Sequence, residues 1–194
     1  MLEEYLDWLQ TKKIFLTKTQ IEKLNSYGKL VLKWNKKINL TAAKDLKEIV
    51  TRHILDSLMP LTIGFEKETE AIDLGSGGGF PAIPLAIALE NTSFILIEKV
   101  AKKCAFLNKI KREINLKNIE VENCLFEEID FPLPKTMITR AVKVDKKLIT
   151  KIKKRGINLL YTFETSKPED YLNINEYSLP GEKKIRYIVK REVK

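Results

Sequence analysis

The chain has 194 residues, of which 44% are hydrophobic and 31% are charged, and its formal net charge is +9. These values are typical of a single globular domain and exclude a disordered chain, and no apolar run is long enough to span a membrane. Two cysteines and one histidine are too few for a disulfide scaffold or a structural zinc site, and the acidic N-terminus is unlike a secretory signal, so we expect a cytoplasmic protein without a metal.

Two helices begin the predicted order of elements. Apolar residues recur at helical spacing from Leu2 to Leu9, and a second helix begins near Thr17, where Thr17 or Thr19 can cap it. The outer face of the second helix carries five lysines: Lys23, Lys29, Lys33, Lys36 and Lys37. Such a face is usually only solvated, although it can also attract RNA. Residues 38–41 break the helical pattern and predict a turn.

A third helix is predicted from a capping-box pattern. Asp45 is followed three residues later by a glutamate, and the helix extends to about residue 58. It carries Arg52, His53 and Asp56, of which the last two are one turn apart and able to hydrogen-bond. A histidine beside an aspartate on a helix is more often a structural pair than catalytic machinery.

Residues 71–86 combine the end of a strand, a loop and the start of a helix. Small and apolar residues around Asp73 predict a buried strand. The helix starts near Phe80, because the two prolines that follow are tolerated only in a first turn. Between strand and helix lies the glycine loop (residues 75–79), which holds four of the chain's eight glycines: Gly75, Gly77, Gly78 and Gly79. This order of elements is the usual site for a nucleotide-like cofactor.

Strands and helices continue to alternate after the glycine loop. Basic amphipathic patterns predict helices from about residue 101 and at 145–154. Short apolar runs predict four more strands, at 93–97, 119–121, 136–140 and 157–162. The alternation within residues 177–193 predicts a terminal antiparallel hairpin. The sequence therefore predicts an α/β fold with a mostly parallel, Rossmann-like sheet. We expect one domain, in which residues 1–64 are a helical extension of a core at 65–194.

The glycine loop differs from the dinucleotide-binding pattern Gly-x-Gly-x-x-Gly. Counted from Gly75, the third glycine position is Phe80, which disfavours an NAD-dependent oxidoreductase. The carboxylate of Asp73 would repel a pyrophosphate but attract the ammonium and sulfonium groups of S-adenosylmethionine. Glu98 ends the second strand, where a carboxylate accepts hydrogen bonds from both ribose hydroxyls. We therefore expect S-adenosylmethionine as the cofactor.

Four stretches resemble motifs of the bacterial RsmG (GidB) methyltransferases. Residues 73–85, Asp-Leu-Gly-Ser-Gly-Gly-Gly-Phe-Pro-Ala-Ile-Pro-Leu, are similar to the family's cofactor loop. Residues 34–41 and 52–57 resemble its upstream motifs, and residues 139–141 resemble its Ser-Arg-Ala element. The resemblance covers residues 27–142 in order and spacing. It implies a class I methyltransferase fold and transfer of a methyl group from S-adenosylmethionine to N7 of one guanine in 16S rRNA.

The resemblance also implies positions for the cofactor. Phe126 would flank the adenine unless it is an ordinary core aromatic, and the backbone or side chain of Glu127 would bind the exocyclic amine. Arg140 ends a buried strand, where an unpaired charge is unfavourable, so an anionic or ligand partner is expected. With the residues of the loop and Glu98, the cofactor-binding set is Asp73, Gly75, Gly77, Phe80, Glu98, Phe126, Glu127 and Arg140.

Four residues of the upstream motifs are candidates for contact with the guanine or the RNA: Asn39, Arg52, His53 and Asp56. Helix anchoring explains the last three equally well. Guanine N7 carries a lone pair and no proton, so methylation there needs positioning and no general base, and the sequence identifies no catalytic residue. The chain departs from the family after the fifth strand, where residues 163–167 stand in place of a Lys-Gly pair.

The positive charge of the chain favours RNA as the partner. Lysine-rich genomes and heat adaptation also raise the charge of proteins that do not bind RNA. We expect 16S rRNA as the partner, an unpaired target base and a monomer. The alternatives are a small-molecule or protein methyltransferase and a non-catalytic RNA-binding protein that retains the glycine loop.

Overall fold

Helices precede the sheet in the computed structural model, which describes residues 1–193. The helical elements before the sheet are a 3₁₀ turn (Leu2–Tyr5), α1 (Leu6–Thr11), α2 (Lys18–Asn35), α3 (Leu46–Ile49), a π-helical segment (Val50–Leu55) and 3₁₀ turns at Met59–Ile63 and Phe65–Lys67. The third predicted helix is therefore α3 together with the π-helical segment that continues it. Over the described residues, no helix combines the length and the apolar character needed to cross a membrane.

One sheet forms the centre of the molecule. Its strands are β1 (Glu70–Leu74), β2 (Ser93–Ile97), β3 (Ile119–Glu122), β4 (Thr136–Thr139), β5 (Leu159–Glu164), β6 (Asn173–Tyr177) and β7 (Arg186–Glu192). The spatial order is β3-β2-β1-β4-β5-β7-β6. Strands β1 to β5 are parallel, and β7 is antiparallel to β5 and β6. The connecting helices are α4 (Ala82–Ala88), α5 (Ala101–Glu113) and α6 (Lys146–Lys154). The predicted Rossmann-like fold with a terminal hairpin is confirmed.

Side-chain caps determine where two of the N-terminal helices begin. At α2 the backbone N–H of Gln20 donates to Thr17 Oγ1 (3.3 Å), and the N–H of Thr17 donates to Gln20 Oε1 (2.9 Å). At α3 the N–H of Glu48 donates to Asp45 Oδ1 (2.8 Å). The second capping box is incomplete, because Glu48 Oε2 accepts from the N–H of Lys44 (2.8 Å) in place of Asp45.

Several strand boundaries differ from the sequence prediction, most of them by one or two residues. β5 starts at Leu159, because the N–H of Ile157 bonds back to the carbonyl of Ile152 at the end of α6 (3.1 Å). The stretch 177–179 contains only the last residue of β6. The alternation of apolar and polar residues that predicted a strand there continues into the following turn, in which Leu179 is 2% exposed.

Apolar side chains cover both faces of the sheet. On one face α2 and α5 contribute Tyr27 and Phe106, both fully buried, to a cluster that includes Phe94 of β2. On the other face α6 contributes Ile152, which packs with Met137 of β4. The sheet is therefore buried on both sides, as expected for parallel strands, and its carboxyl edge is left to form a site.

Candidate functional site

The carboxyl edge of the central strands gathers three of the predicted cofactor-binding residues. Asp73 lies near the end of β1, Glu98 follows β2 and Arg140 follows β4. In the sheet, β1 lies between the other two strands and pairs with both, so the three residues come to one edge. This is where a doubly wound sheet binds ligands.

The glycine loop packs so closely that two of its positions admit no side chain. Gly75 and Gly79 have φ angles of 73° and 92°, in the left-handed region that favours glycine. A Cβ at Gly75 would lie 2.9 Å from Cγ2 of Val142, and a Cβ at Gly79 would lie 2.5 Å from Cγ1 of Ile83. At Gly77 the nearest atom to such a Cβ is a backbone oxygen 3.8 Å away, so this position leaves room for a ligand.

Asp73 is fully buried, and within residues 1–193 neither of its carboxylate oxygens has a hydrogen-bond partner. Burial, with a smaller contribution from the charge of Glu98, raises the pKa of this carboxyl to about 7. The hydroxyl of Ser76 and the backbone N–H of Ala82 lie near enough to lower the pKa somewhat, but neither forms a hydrogen bond to the carboxylate, and Ser76 donates to the Asp73 carbonyl instead (3.1 Å). A buried carboxylate without a partner is unfavourable, so this position suits a ligand that brings a cationic group.

Glu98 braces the glycine loop. Its Oε2 accepts a hydrogen bond from the N–H of Gly77 (2.9 Å), and its Oε1 accepts one from the N–H of Val100 (2.8 Å). The residue is 6% exposed. Each carboxylate oxygen has a second lone pair, so Glu98 can hold the loop and still accept hydrogen bonds from a ribose.

Phe80 packs the glycine loop against the preceding helices. Its ring centroid lies 5.3 Å from that of Tyr27 in α2 and 4.8 Å from that of His53, with which it is stacked. The hydroxyl of Tyr27 donates to the carbonyl of Gly78 (2.7 Å). The spacing of Tyr27 with Leu24 and Val31 indicates only the apolar face of α2. The need of a buried tyrosine hydroxyl for a partner is the signal that could have identified this contact.

His53 is neutral at physiological pH, and its tautomer is fixed. A guanidinium can only donate, so Nδ1 of His53 accepts from Arg140 Nη2 (2.9 Å). The other nitrogen, Nε2, therefore carries the proton and donates it to Oγ1 of Thr41. Burial, together with the charge of Arg140, lowers the pKa of His53 to about 3. This imidazole is an anchor for Arg140 and is not a proton carrier near pH 7.

Asp56 is the anionic partner of Arg140. Arg140 Nε lies 3.2 Å from Asp56 Oδ2, and the hydroxyl of Tyr177 donates to Asp56 Oδ1 (2.7 Å). The expected bond between His53 and Asp56 is not formed, because both nitrogens of His53 and both oxygens of Asp56 have other partners. Arg140 Nη1 is buried and has no partner among the described residues.

Asn39 does not join this network. It is exposed, and in the described part of the chain its side chain makes no hydrogen bond. Asn35 organises the turn instead. Its Oδ1 accepts from the N–H groups of Leu40 (2.9 Å) and Thr41 (3.0 Å), and its Nδ2 donates to the carbonyls of Thr41 (2.8 Å) and Ala43 (3.2 Å). An asparagine at the end of a helix, just before a turn, is the signal that identifies such a role.

A basic cleft of about 520 Å³ lies beside Arg140. Its lining residues are Arg52, His53, Arg140, Glu182, Lys183, Lys184 and Arg186. The carboxylate of Glu182 accepts from Nε of Arg52 (2.9 Å) and from Nη2 of Arg186 (2.8 Å). Arg52 thus contacts the connection between β6 and β7, which the sequence did not predict. A larger cleft of about 750 Å³ between α6 and the strands β5 and β7 includes none of the predicted site residues.

The two residues predicted to contact adenine lie in different environments. Phe126 is 6% exposed and packs in the cluster around Ile72 and Ile97, so it is a core aromatic. Glu127 is exposed, and its carboxylate pairs with Lys151 of α6. The ion pair involves one oxygen of the carboxylate, so the backbone and the second oxygen of Glu127 are available to a ligand.

The residues at the carboxyl edge fit S-adenosylmethionine. Asp73 offers a buried carboxylate for a cationic group, Glu98 offers free lone pairs for a ribose, and Gly77 leaves space beside the loop. Between Met1 and Val193, no group of three or more histidine, cysteine or acidic residues is arranged to hold a metal ion.

Comparison with known proteins supports the same interpretation. The family model for GidB, rRNA small subunit methyltransferase G, matches residues 20–191. A "Ribosomal RNA small subunit methyltransferase G" from Ectopseudomonas mendocina (strain ymp) is 44% identical over 119 residues, which cover 61% of this chain and 56% of that protein. A protein of the same name from Helicobacter acinonychis (strain Sheeba) is 41% identical over 152 residues, which cover 75% of this chain and 84% of that protein.

The chain spans about half the length of the Ectopseudomonas relative. Among solved structures, the N,N-8-amino-8-demethyl-D-riboflavin dimethyltransferase of Streptomyces davawensis aligns with a TM-score of 0.56. The alignment has 15% identity and covers 75% of this chain and 55% of that one. At this identity the likeness is one of fold alone.

Proposed function

The chain belongs to the rRNA small subunit methyltransferase G family, and on this premise we propose that it transfers a methyl group from S-adenosylmethionine to N7 of a specific guanine in 16S rRNA. The observation that carries the proposal is the buried, unpartnered carboxylate of Asp73 beside the glycine loop. A buried acid in this position favours a cationic cofactor over a pyrophosphate.

Each predicted cofactor residue has a role in the proposal. Asp73 binds the cationic amino-acid end of the cofactor, and Glu98 accepts hydrogen bonds from the ribose. The backbone or the side chain of Glu127 binds the adenine amine, since Lys151 holds only one oxygen of the Glu127 carboxylate. Gly75, Gly77 and Phe80 shape the loop against which the cofactor lies, and Phe126 flanks the adenine from the core. Arg140 holds the His53 ring, and this ring stacks on Phe80.

The proposed chemistry requires positioning and no general base. When bound, S-adenosylmethionine would supply an electrophilic methyl group. The lone pair of guanine N7 would form the new bond to this methyl group while the S–CH₃ bond breaks and S-adenosylhomocysteine leaves, and N7 has no proton to lose. The absence of a proton to remove agrees with a neutral His53 that is held between Thr41 and Arg140. The task of the chain is to hold an unpaired guanine in line with the methyl group and to keep water away.

Four further features belong to the proposal. We assign residues 1–64 to a helical extension and residues 65–194 to the methyltransferase core of one domain, since α2 packs directly on the core helices α4 and α5. The protein acts as a monomer, in the cytoplasm and without a metal. Arg52 and Asn39, which belong to the upstream motifs, contact the RNA. His53 and Asp56 position Arg140.

The test is transfer of a labelled methyl group to rRNA from a strain that lacks the enzyme, followed by mapping of the modified base. We expect label at N7 of one guanine of 16S rRNA. Label in protein or in small molecules alone would favour the alternative methyltransferases. RNA binding without any transfer would favour a non-catalytic protein. Calorimetry with S-adenosylhomocysteine and NAD tests the cofactor separately, and tight binding of NAD alone would contradict the proposal.

A further inference from the structure

The basic cleft carries more positive charge than its own residues neutralise. Lys183 and Lys184 are exposed, and neither forms an ion pair within the part of the chain described here. Arg140 and Arg186 also line the cleft, and each has one buried guanidinium nitrogen without a hydrogen-bond partner among these residues, Nη1 and Nε respectively. Glu182 is the one acidic residue in the lining. Such a surface favours a ligand with at least one negative charge.

Glu182 shows where an oxyanion binds in this cleft. Its two carboxylate oxygens accept from two different guanidinium groups, those of Arg52 (2.9 Å) and Arg186 (2.8 Å). Burial opposes ionisation of Glu182, but the bonds from Arg186 and Arg52 outweigh it and hold the pKa of this carboxyl below its usual value. Phosphate forms the same kind of charge-assisted pair with guanidinium groups.

We propose that the basic cleft binds a phosphodiester group of the substrate RNA, and that Glu182 occupies the position of this phosphate until RNA displaces it. The inference rests on the proposed function and deepens it by locating an RNA contact. His53 and Arg140 line the cleft and also contact Phe80 of the glycine loop. A phosphate bound here therefore lies next to the nucleotide whose base enters the methyl-transfer site.

The rival explanation is diffuse attraction by the lysine faces of the helices. The double variant K183Q/K184Q removes two charges from the cleft, and K153Q/K154Q removes two charges from the exposed face at the end of α6. All four lysines are exposed, so both variants should fold. Binding of an unmethylated 16S rRNA transcript is measured against KCl concentration for each variant.

We expect K183Q/K184Q to weaken RNA binding about tenfold at moderate salt. We also expect it to reduce the slope of log K against log salt by about 0.7, the value for one phosphate contact on single-stranded RNA. K153Q/K154Q should stay within about twofold of the wild type. Equal losses in the two variants would overturn the inference in favour of diffuse attraction.

A second variant tests the position of Glu182. Glu182→Gln removes the competing charge, so RNA binding should become tighter by about threefold or more. Unchanged or weaker binding would show that Glu182 supports the arginines without standing in the place of a phosphate. Methyl transfer by the wild type to the same transcript is measured in parallel. If the wild type transfers no methyl group, the proposed function fails, whereas the binding comparison still decides the role of the cleft.

Discussion

The hydroxyl of Tyr177, at the end of β6, donates a 2.7 Å hydrogen bond to Oδ1 of Asp56, in the helical region before the sheet. The other oxygen of Asp56 pairs with Arg140 after β4 (3.2 Å). Three distant parts of the chain therefore meet at one buried carboxylate. Burial and the nearby charge of Asp56 raise the pKa of Tyr177 far above its ordinary value, so the phenol keeps its proton and continues to donate.

Replacing Tyr177 by phenylalanine should lower the free energy of unfolding by about 1–3 kcal/mol, because the carboxylate of Asp56 loses a buried donor. Urea denaturation measures the difference. The control is Tyr171→Phe, since Tyr171 is 41% exposed, and it should change stability by no more than about 0.5 kcal/mol. A loss no larger than that of the control would contradict the importance of this bond.

The pKa of His53 can be measured without ambiguity, because the chain has one histidine. In the wild type, its ring signals in NMR spectra should not titrate between pH 5 and 8, since burial and Arg140 lower this pKa to about 3. Arg140→Met removes the charge but keeps a long side chain, so the pKa should rise toward 6.5. Arg155→Met, at the end of α6, is the control and should leave it unchanged. Titration of the wild-type histidine near pH 6.5 would refute the arrangement.

The lowered pKa of His53 also predicts how stability depends on pH. The unfolded histidine binds a proton near pH 6.5, whereas the folded one does so only near pH 3. The unfolded state therefore holds more protons in this window, and the contribution of His53 to stability is present above pH 6.5 and lost as pH falls toward 3. His53→Gln should flatten this part of the stability curve measured by denaturation. If the stability curves of the wild type and His53→Gln have the same slope between pH 3 and pH 6.5, the lowered pKa of His53 is contradicted.

Asp73 predicts a proton linked to cofactor binding. Its pKa is about 7 in the free protein, and a cationic ligand favours the ionised form, so binding should release up to one proton near neutral pH. Calorimetry of S-adenosylmethionine in buffers of different ionisation enthalpy measures this number. Asp73→Asn should abolish the release and weaken binding about tenfold or more. Equal enthalpies in all buffers for the wild type would contradict the role of Asp73.

Asp73 also predicts a stability effect of opposite sign to that of His53. Its folded pKa of about 7 lies above its ordinary value of 3.8, so the stability that its proton gives is lost as pH rises through 7. Without cofactor, Asp73→Asn should therefore be more stable than the wild type at pH 8. The comparison is repeated at pH 5.5, where the advantage should shrink. A variant less stable than the wild type at pH 8 would contradict the burial of an unpaired carboxylate.

Local features of the fold were predictable from the sequence. The bounds of β2, the start of α5 and the cap at Thr17 follow from periodicity and capping chemistry within a few residues. The glycine loop was predictable as well, because positions too closely packed for a side chain require glycine, and four glycines occur within residues 75–79. The contact of Tyr27 with this loop was not predictable, since the spacing of Tyr27 indicates an ordinary core residue.

The contacts that assemble the site join residues far apart in the sequence. Tyr177 and Asp56 are separated by 121 residues, and Arg52 and Glu182 by 130. No periodic pattern encodes such pairs, so Arg140 was predicted to need a partner without the partner being known. The π-helical segment was missed for a related reason, because helical periodicity does not distinguish it from an α-helix.

The position of Tyr177 has a consequence for the order in which the protein becomes functional. A ribosome synthesises the chain from its N-terminus, and the glycine loop, Asp56 and Arg140 all emerge before β6 and β7. Until the hairpin folds, Asp56 lacks its tyrosine and Arg52 lacks Glu182. A nascent chain thus contains its cofactor loop before its substrate side is assembled, and this side forms only after β6 and β7 have been translated.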